Sequence, residues 1–388
     1  MDIRSLLKVM VDQEASDLYL TVEAPPVYRV HGSTQRTNDP PFTNEQLEAL
    51  ALALMRGQQR GEFEEKMEMN LALYYKELGR FRVNIFRQRG NVGLVFRHIK
   101  AEIMTVEQLD LPPIIKDIAM TKRGLVLVVG ATGSGKSTSL AAMMDHRNTV
   151  HPGHIVSVED PIEFVHQHKK SIITQREVGF DTLSFQNALK NTLRQAPDVI
   201  LIGEIRDTET MEAAITFAET GHLCLGTLHS NNANQAIERI MNFFPPERHA
   251  QIYLQLSLNL RAIISQRLIP SVDGRRVPAL EIMLDTPRVK DLIKKAEIDT
   301  LKEAMEQGID EGCQTFDYVL LQLYKAGKIS IEQALINADS ANNLRLKIKL
   351  EGLKGDDAIN ALLDTGKQDD KGFQLQGKQA SVTPIKKR

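Results

Sequence analysis

The hydrophobic positions change rhythm twice along this chain. Ile3, Leu6, Leu7, Met10 and Val11 recur three or four apart, the spacing of one helical face. "DLYLTV" (17–22) alternates apolar with polar, and "PPVYRVHG" (25–32) reads as a second strand ending in a turn. In "TNEQLEALALALM" (43–55), Thr43 with Gln46 three residues on opens a helix as a capping box. "GRFRVNIF" (79–86) sets Phe81, Val83 and Ile85 against Arg80, Arg82 and Asn84, and "RQRGNVG" turns it back into "LVFRHI" (94–99), completing a hairpin. Residues 1–98 thus predict a small α+β domain, and 99–115, with Pro112 and Pro113 near its end, a linker.

From 116 the rhythm becomes short continuous apolar runs separated by helical stretches. "GLVLVV", "HIVSV", "DVILIG" and "LCLGTL" suit strands of a parallel sheet buried on both faces. This predicts an α/β core over 116–270. Beyond it "TPRVKDLIKKAEIDTLKEAMEQG", "TFDYVLLQLYKAG" and "ISIEQALINA" are helical in pattern, so 271–365 is expected to be a helical region. The stretch 366–388 is polar and aperiodic, which predicts disorder.

Composition narrows the class. The 388 residues are too many for one ordinary core. A 42% hydrophobic and 25% charged make-up is that of a soluble globular protein, and a net charge of −2 argues against a generally basic nucleic-acid binder. Cys224 and Cys313 are the only cysteines, which excludes a disulfide framework or a four-cysteine zinc site and favours a reducing compartment. No window approaches the roughly 18 apolar residues of a membrane span, and the N-terminus lacks the basic start and long apolar run of a signal peptide. The expectation is a cytoplasmic protein that meets a membrane only through a partner.

The chemistry starts at "VLVVGATGSGKSTSL" (126–140), where a strand runs into a glycine loop and then a helix. Gly130, Ala131, Thr132, Gly133, Ser134, Gly135, Lys136, Ser137 and Thr138 match the P-loop pattern in the context that pattern requires. Glycines let successive backbone N–H groups curl toward phosphates, and the helix N-terminus adds about half a positive charge. Lys136 is expected on the β- and γ-phosphates of ATP and Ser137 on Mg²⁺.

Metal handling needs an acidic strand end, and "DVILIGEIRD" offers Glu204, which would reach Mg²⁺ partly through water. "HIVSVEDPIEF" ends in Glu159, Asp160 and Glu163; Glu163, presented after Pro161, is the candidate to position or deprotonate the attacking water. In "GHLCLGTLHSNNA", His229 at the strand end is the candidate partner of the γ-phosphate or its acids. An ordinary hydrogen-bonded loop histidine is the alternative there, and more so for His222. The two histidines do not make a zinc site, having no cysteines or acids beside them to complete one.

With these strands in order, the chain resembles the secretion ATPases of the type II secretion and type IV pilus class. "GATGSGKST" resembles their Walker A, "VEDPIEF" their Asp box, "LIGEIRD" their atypical Walker B and "TGHLCLGTLHSN" their His box. "ITQREVG", "ALKNTLRQAPD", "EASDLYL" and "GRFRVNIF" are also similar to the family, and the resemblance covers 1 to about 350. It implies a RecA-like P-loop domain behind a PAS-like N-terminal domain, assembled as a hexamer on the cytoplasmic face of the inner membrane. Family arginines of the N-terminal domain act on nucleotide; the matching positions are Arg80, as a nucleotide contact, and Arg82 and Arg97, as catalytic groups. A solvated strand face is the alternative reading of each. The expected motion closes the N-terminal domain of one subunit on the nucleotide domain of the next.

Assembly and export members often carry a tetracysteine zinc insert, and its absence here points to the retraction branch. Retraction motors of that branch have "AIRNLIRE" after "TP"; here Thr286-Pro287 is followed by "RVKDLIKKAE", with Asp291 and Lys294 in place of Asn and Arg. That departure, "LRQAPD" and Tyr19 favour the accessory ATPase of the branch. The implied partners are a PilT-type retraction ATPase and a PilC-like platform protein of the inner membrane, with no nucleic acid. The alternatives are an extension ATPase of the same fold and a ring adaptor that binds ATP with little hydrolysis.

Overall fold

The computed structural model describes residues 2–30, 32–99 and 102–351; the stretch expected to be disordered lies outside them. The N-terminal part contains α1 (Ile3–Asp12), β1 (Asp17–Leu20), β2 (Val27–Val30), β3 (Ser33–Arg36), α2 (Asn44–Leu54), α3 (Gly57–Lys66), β4 (Glu68–Tyr75), β5 (Gly79–Gln88) and β6 (Asn91–Ile99). The strands form a six-stranded sheet in the order β3-β2-β1-β6-β5-β4. Alternation decides its buried face. Val83 pairs with Phe96 and Ile85 with Leu94, and all four are fully buried against the α1 residues Leu7 and Met10. The capping box forms as expected: Thr43 Oγ1 accepts from the Gln46 N–H, and Gln46 Oε1 from the Thr43 N–H.

The second part runs α4 (Ile114–Ala119), β7 (Gly124–Val129), α5 (Lys136–Val150), β8 (Gly153–Glu159), β9 (Ser171–Glu177), α6 (Phe185–Thr192), β10 (Val199–Ile202), α7 (Thr208–Glu219), β11 (Leu223–Leu228), α8 (Ala233–Met241), α9 (His249–Asn259), β12 (Leu260–Pro270) and β13 (Arg276–Leu284). Their seven-stranded sheet has the order β13-β12-β7-β11-β10-β8-β9. Every pairing from β12 to β9 is parallel. Both faces are covered, as continuous apolar runs require. Leu125, Leu127 and Val129 of β7 pack with α7, α8 and α9, whereas Val126 and Val128 pack with α4 and α5.

The chain ends, within the described residues, in α10 (Pro287–Lys294), α11 (Leu301–Gln307), α12 (Phe316–Lys325), α13 (Ile331–Ile336) and α14 (Ala341–Leu350). Two compact units result, Met1–Leu268 with Leu280–Thr315, and Ile269–Ala279 with the chain from Phe316 onward. The second has its own core, of Ile269, Ala279, Phe316, Leu320 and Ile348 among others. The region beyond 270 was expected to be helical throughout; β13 departs from that, because "RVPALEIML" supplies an edge to the large sheet.

Candidate functional site

Because β7, β8, β10 and β11 are mutually parallel through their neighbours, their carboxyl ends emerge at one edge of the sheet. That edge is where open α/β sheets hold ligands. Gly130, Glu159, Gly203-Glu204 and His229 stand there, at or just beyond the ends of the four strands.

The loop from β7 to α5 fits phosphate. Gly130, Gly133 and Gly135 all have positive φ, and at two of them a side chain has no room. A Cβ on Gly130 would lie 2.6 Å from the Gln266 carbonyl oxygen, and one on Gly135 2.8 Å from Gln266 Nε2. The hydroxyl of Ser134 is buried without a hydrogen-bond partner in the protein. Lys136 Nζ donates to the carbonyls of Gly130 (2.7 Å) and Ala131 (2.9 Å). Burial lowers the pKa of that ammonium, and Glu204 pulls it partly back. An anion arriving here would satisfy an orphan hydroxyl, the open N–H groups of α5 and a half-buried cation together.

Opposite the loop the two neighbouring strands are stapled to the turn after β10. The Gly203 N–H donates to the Val158 carbonyl (2.8 Å), and Thr227 Oγ1 donates to the Gly203 carbonyl (2.5 Å). Glu204 Oε1 stands 3.1 Å from His229 Nε2, and Glu204 Oε2 accepts from Arg206 Nε at 2.8 Å. Arg206 also faces Asp160 at 3.7 Å. A cavity of about 30 Å³ is lined by Ser137, Glu159, Glu163, His166, Gly203 and Thr227, which puts the expected metal-binding hydroxyl, the candidate base and the sheet edge round a space of water size.

Glu159 is half-buried at the end of β8. One of its oxygens accepts from Ser157 Oγ (2.6 Å) and Gln175 Nε2 (3.1 Å), and burial pushes its pKa up against those bonds. Glu163 is exposed at the rim. His222 stands at the opposite end of β11, hydrogen-bonded to Thr220 and Phe217, as an ordinary loop histidine would be.

The three N-terminal arginines face acids of their own chain. Arg80 donates to Glu177 Oε2 at 2.8 Å, at the end of edge strand β9. Four strand positions separate β9 from β7, about 19 Å at the usual spacing, so here Arg80 holds the core and not the glycine loop. Arg97 donates to Asp17 at 2.9 Å; that bond chiefly raises its pKa, with Glu163 adding from across the gap. Arg82 lies opposite Arg97 in the ladder and bears electrostatically on Glu177. The resemblance implies a nucleotide contact for Arg80 and catalytic parts for Arg82 and Arg97, whereas within this chain each of them faces an acid.

Several residues of the site were not read from the sequence. Gln266 packs under the loop and accepts from Ser139 Oγ at 2.7 Å. His166 is buried beside Glu163 with its Nδ1 unpartnered. Gln175 and Glu177 of β9 hold the segment that carries Glu163. Only "ITQREVG" signalled the last two, through resemblance and not through chemistry. Among the described residues no group of three or more His, Cys, Asp or Glu is arranged to hold a metal.

A glycine loop between a buried parallel strand and a helix, ringed by acids at the sheet's carboxyl edge, defines an α/β P-loop protein. The chain belongs to the type II/IV secretion system protein family, whose pattern matches residues 2–344. It is 53% identical over 363 residues to the type IV pilus ATPase PilU of Pseudomonas aeruginosa, covering 93% of this chain and 95% of that protein. It is 45% identical over 343 residues to the type IV pilus retraction ATPase PilT of the same organism, covering 88% of this chain and all of that one. The crystal structure of the pilus retraction motor PilT with bound ADP superposes with a TM-score of 0.82 at 41% identity, over 88% of this chain and 98% of that one. The Legionella pneumophila ATPase DotB, 24% identical, shares the fold with a TM-score of 0.76 over 86% of this chain and 94% of its own.

Proposed function

We propose that the chain is an ATP-hydrolysing motor subunit for type IV pilus retraction and twitching motility, of the PilU-like accessory kind. The observation that carries this is the convergence of Lys136, Ser137, Glu163, Glu204 and His229 on one sheet edge, in a chain similar along nearly its whole length to PilU and PilT. No described helix is long and apolar enough to cross a membrane. In this reading the working surface is met through a partner, at the cytoplasmic face of the inner membrane.

Each residue's part follows from its place. Lys136 exchanges two loop carbonyls for phosphate oxygens, which is why its ammonium is kept half-buried and close. Ser137 and Glu204 would hold Mg²⁺, which neutralises charge on the transferring group when bound. Glu163, at the rim of the water-sized cavity, orients the attacking water. His229 fixes Glu204 and reaches toward the γ-phosphate. Arg97 and Arg82 bring positive charge to the acidic edge when the N-terminal domain, a PAS-like lobe, closes on the RecA-like one.

Six copies joined head to tail would close a ring, since like-with-like contacts end at a dimer. Turnover moving round the ring would act on a PilC-like platform protein beside a PilT-type ATPase, and pilin would return to the membrane. Deleting the gene tests the direction. Excess or unretracted fibres support retraction, whereas loss of fibres means extension.

A further inference from the structure

Glu163 lies in a segment that has no secondary structure of its own; β9 holds it on both sides of Glu163, and Asn148 of α5 holds it farther on, at Gln167 and Lys169. Gln175 holds its far side: its Nε2 donates to the Phe164 carbonyl (2.9 Å), and its Oε1 accepts from the His166 N–H (2.8 Å). Glu177 holds the near side, its Oε2 accepting from the Ile162 N–H at 3.2 Å. The same oxygen accepts from Arg80 of β5 at 2.8 Å. Glu163 therefore sits between a fixed pin and one that the N-terminal domain touches.

The geometry points to Glu177 as a positioning residue that reports the docking of the N-terminal domain to the Glu163 segment, through one carboxylate oxygen shared by Arg80 and Ile162. This deepens the proposed hydrolysis and rests on it for its consequence, though not for its structural part.

The carboxylate suits that part. It is 3% exposed, and its backbone is fixed independently, its N–H donating to Asp181 Oδ2 (2.8 Å) and its carbonyl accepting from the Asp181 N–H (2.8 Å). The Val178 N–H donates to the Glu159 carbonyl (2.9 Å), so the ends of β8 and β9 move as one. Only the side chain is left to respond. Burial pushes its pKa up, and Arg80 is the foremost group holding it down, helped by the Ile162 N–H and Arg82 against Asp181. When the N-terminal domain departs, the carboxylate loses the cation that fixes Oε2 in place, and water can compete for that oxygen, so the side chain is free to swing away from Ile162. The pin then slackens, and Glu163 loses its aim while the glycine loop is untouched.

Amide exchange of the full-length, nucleotide-free chain tests this, since without nucleotide Arg80 has no phosphate to act on. Arg80→Ala and Glu177→Gln should each speed exchange at Ile162 about tenfold. The double variant should be no faster than either, and the peptide covering 130–137 should be unchanged. Arg80→Lys should restore most of the protection. In turnover, kcat should fall roughly tenfold or more with KM for ATP kept, as for a misplaced group. Unchanged exchange at Ile162 in the folded variants would overturn the coupling, as would additive effects in the double variant. A fall in affinity for a fluorescent ATP analogue matching the fall in turnover would overturn it too, because Arg80 would then be gripping nucleotide. If the wild-type chain hydrolyses no ATP, the motor reading fails while the exchange result stands by itself.

Discussion

Glu204 Oε1 lies 3.1 Å from His229 Nε2, joining the turn after β10 to the end of β11. The other oxygen of Glu204 is taken by Arg206, so the carboxylate is held from two sides, near enough to the glycine loop for its charge to bear on Lys136. Removing the histidine releases one side only. His229→Ala should lower kcat roughly 100-fold, in the range for losing one positioned polar group, and change ATP-analogue affinity by less than about threefold. Parallel titrations of binding and turnover check it.

Gly203 follows β10 and lies hard against the end of β8, its N–H donating to the Val158 carbonyl. A Cβ there would lie 2.9 Å from the Glu159 Cα and 3.1 Å from the Val158 carbonyl oxygen, both backbone atoms that cannot swing aside. Gly203→Ala should therefore destabilise the fold by about 1–3 kcal/mol, the usual cost of overpacking, and disturb Glu204 next to it. Urea unfolding gives the first effect and turnover of the folded fraction the second.

His166 makes a pH prediction. Burial lowers its pKa from 6.5 to about 4, with Lys169 pushing the same way and Asp145 opposing. Between those values the unfolded chain binds the proton and the folded chain does not, so stability falls as pH drops through that window. The full contribution, about 3 kcal/mol, is present above the unfolded pKa and gone below about 4. His166→Gln should flatten that part of the profile in denaturant melts at stepped pH. An unchanged slope would show that the histidine binds its proton alike in the folded and unfolded chain, contrary to the expected depression.

Much of the site was legible because its chemistry sits at the ends of apolar runs. β7, β8, β10 and β11 are buried on both faces, so each reads as an uninterrupted stretch, and Gly130, Glu159, Glu204 and His229 follow directly after or close the run. In the seven-stranded sheet, the strands that escaped notice carry buried or bonded polar residues. β9, "SIITQRE", exposes Ile172 and spends Gln175 and Glu177 on the Glu163 segment, which breaks its apolar signal. β12 carries buried Ser265 and Gln266, and β13 buried Glu281, which accepts from Ser265 Oγ (2.9 Å) and the Ala233 N–H (2.8 Å). Buried polar groups of this kind are invisible to periodicity, because their partners lie far away in sequence. The arginines were legible as a row on one strand pair, but not which acids they meet.

Phosphate release by the purified full-length chain, compared with Lys136→Ala, reaches the centre of the matter most directly. Among the described residues Lys136 Nζ donates to two loop carbonyls, so its loss should leave the fold intact. The wild-type chain, with or without a PilT-type ATPase, should release phosphate from ATP, and Lys136→Ala should fall to background at equal assembly. Equal release by the two proteins would contradict a P-loop motor.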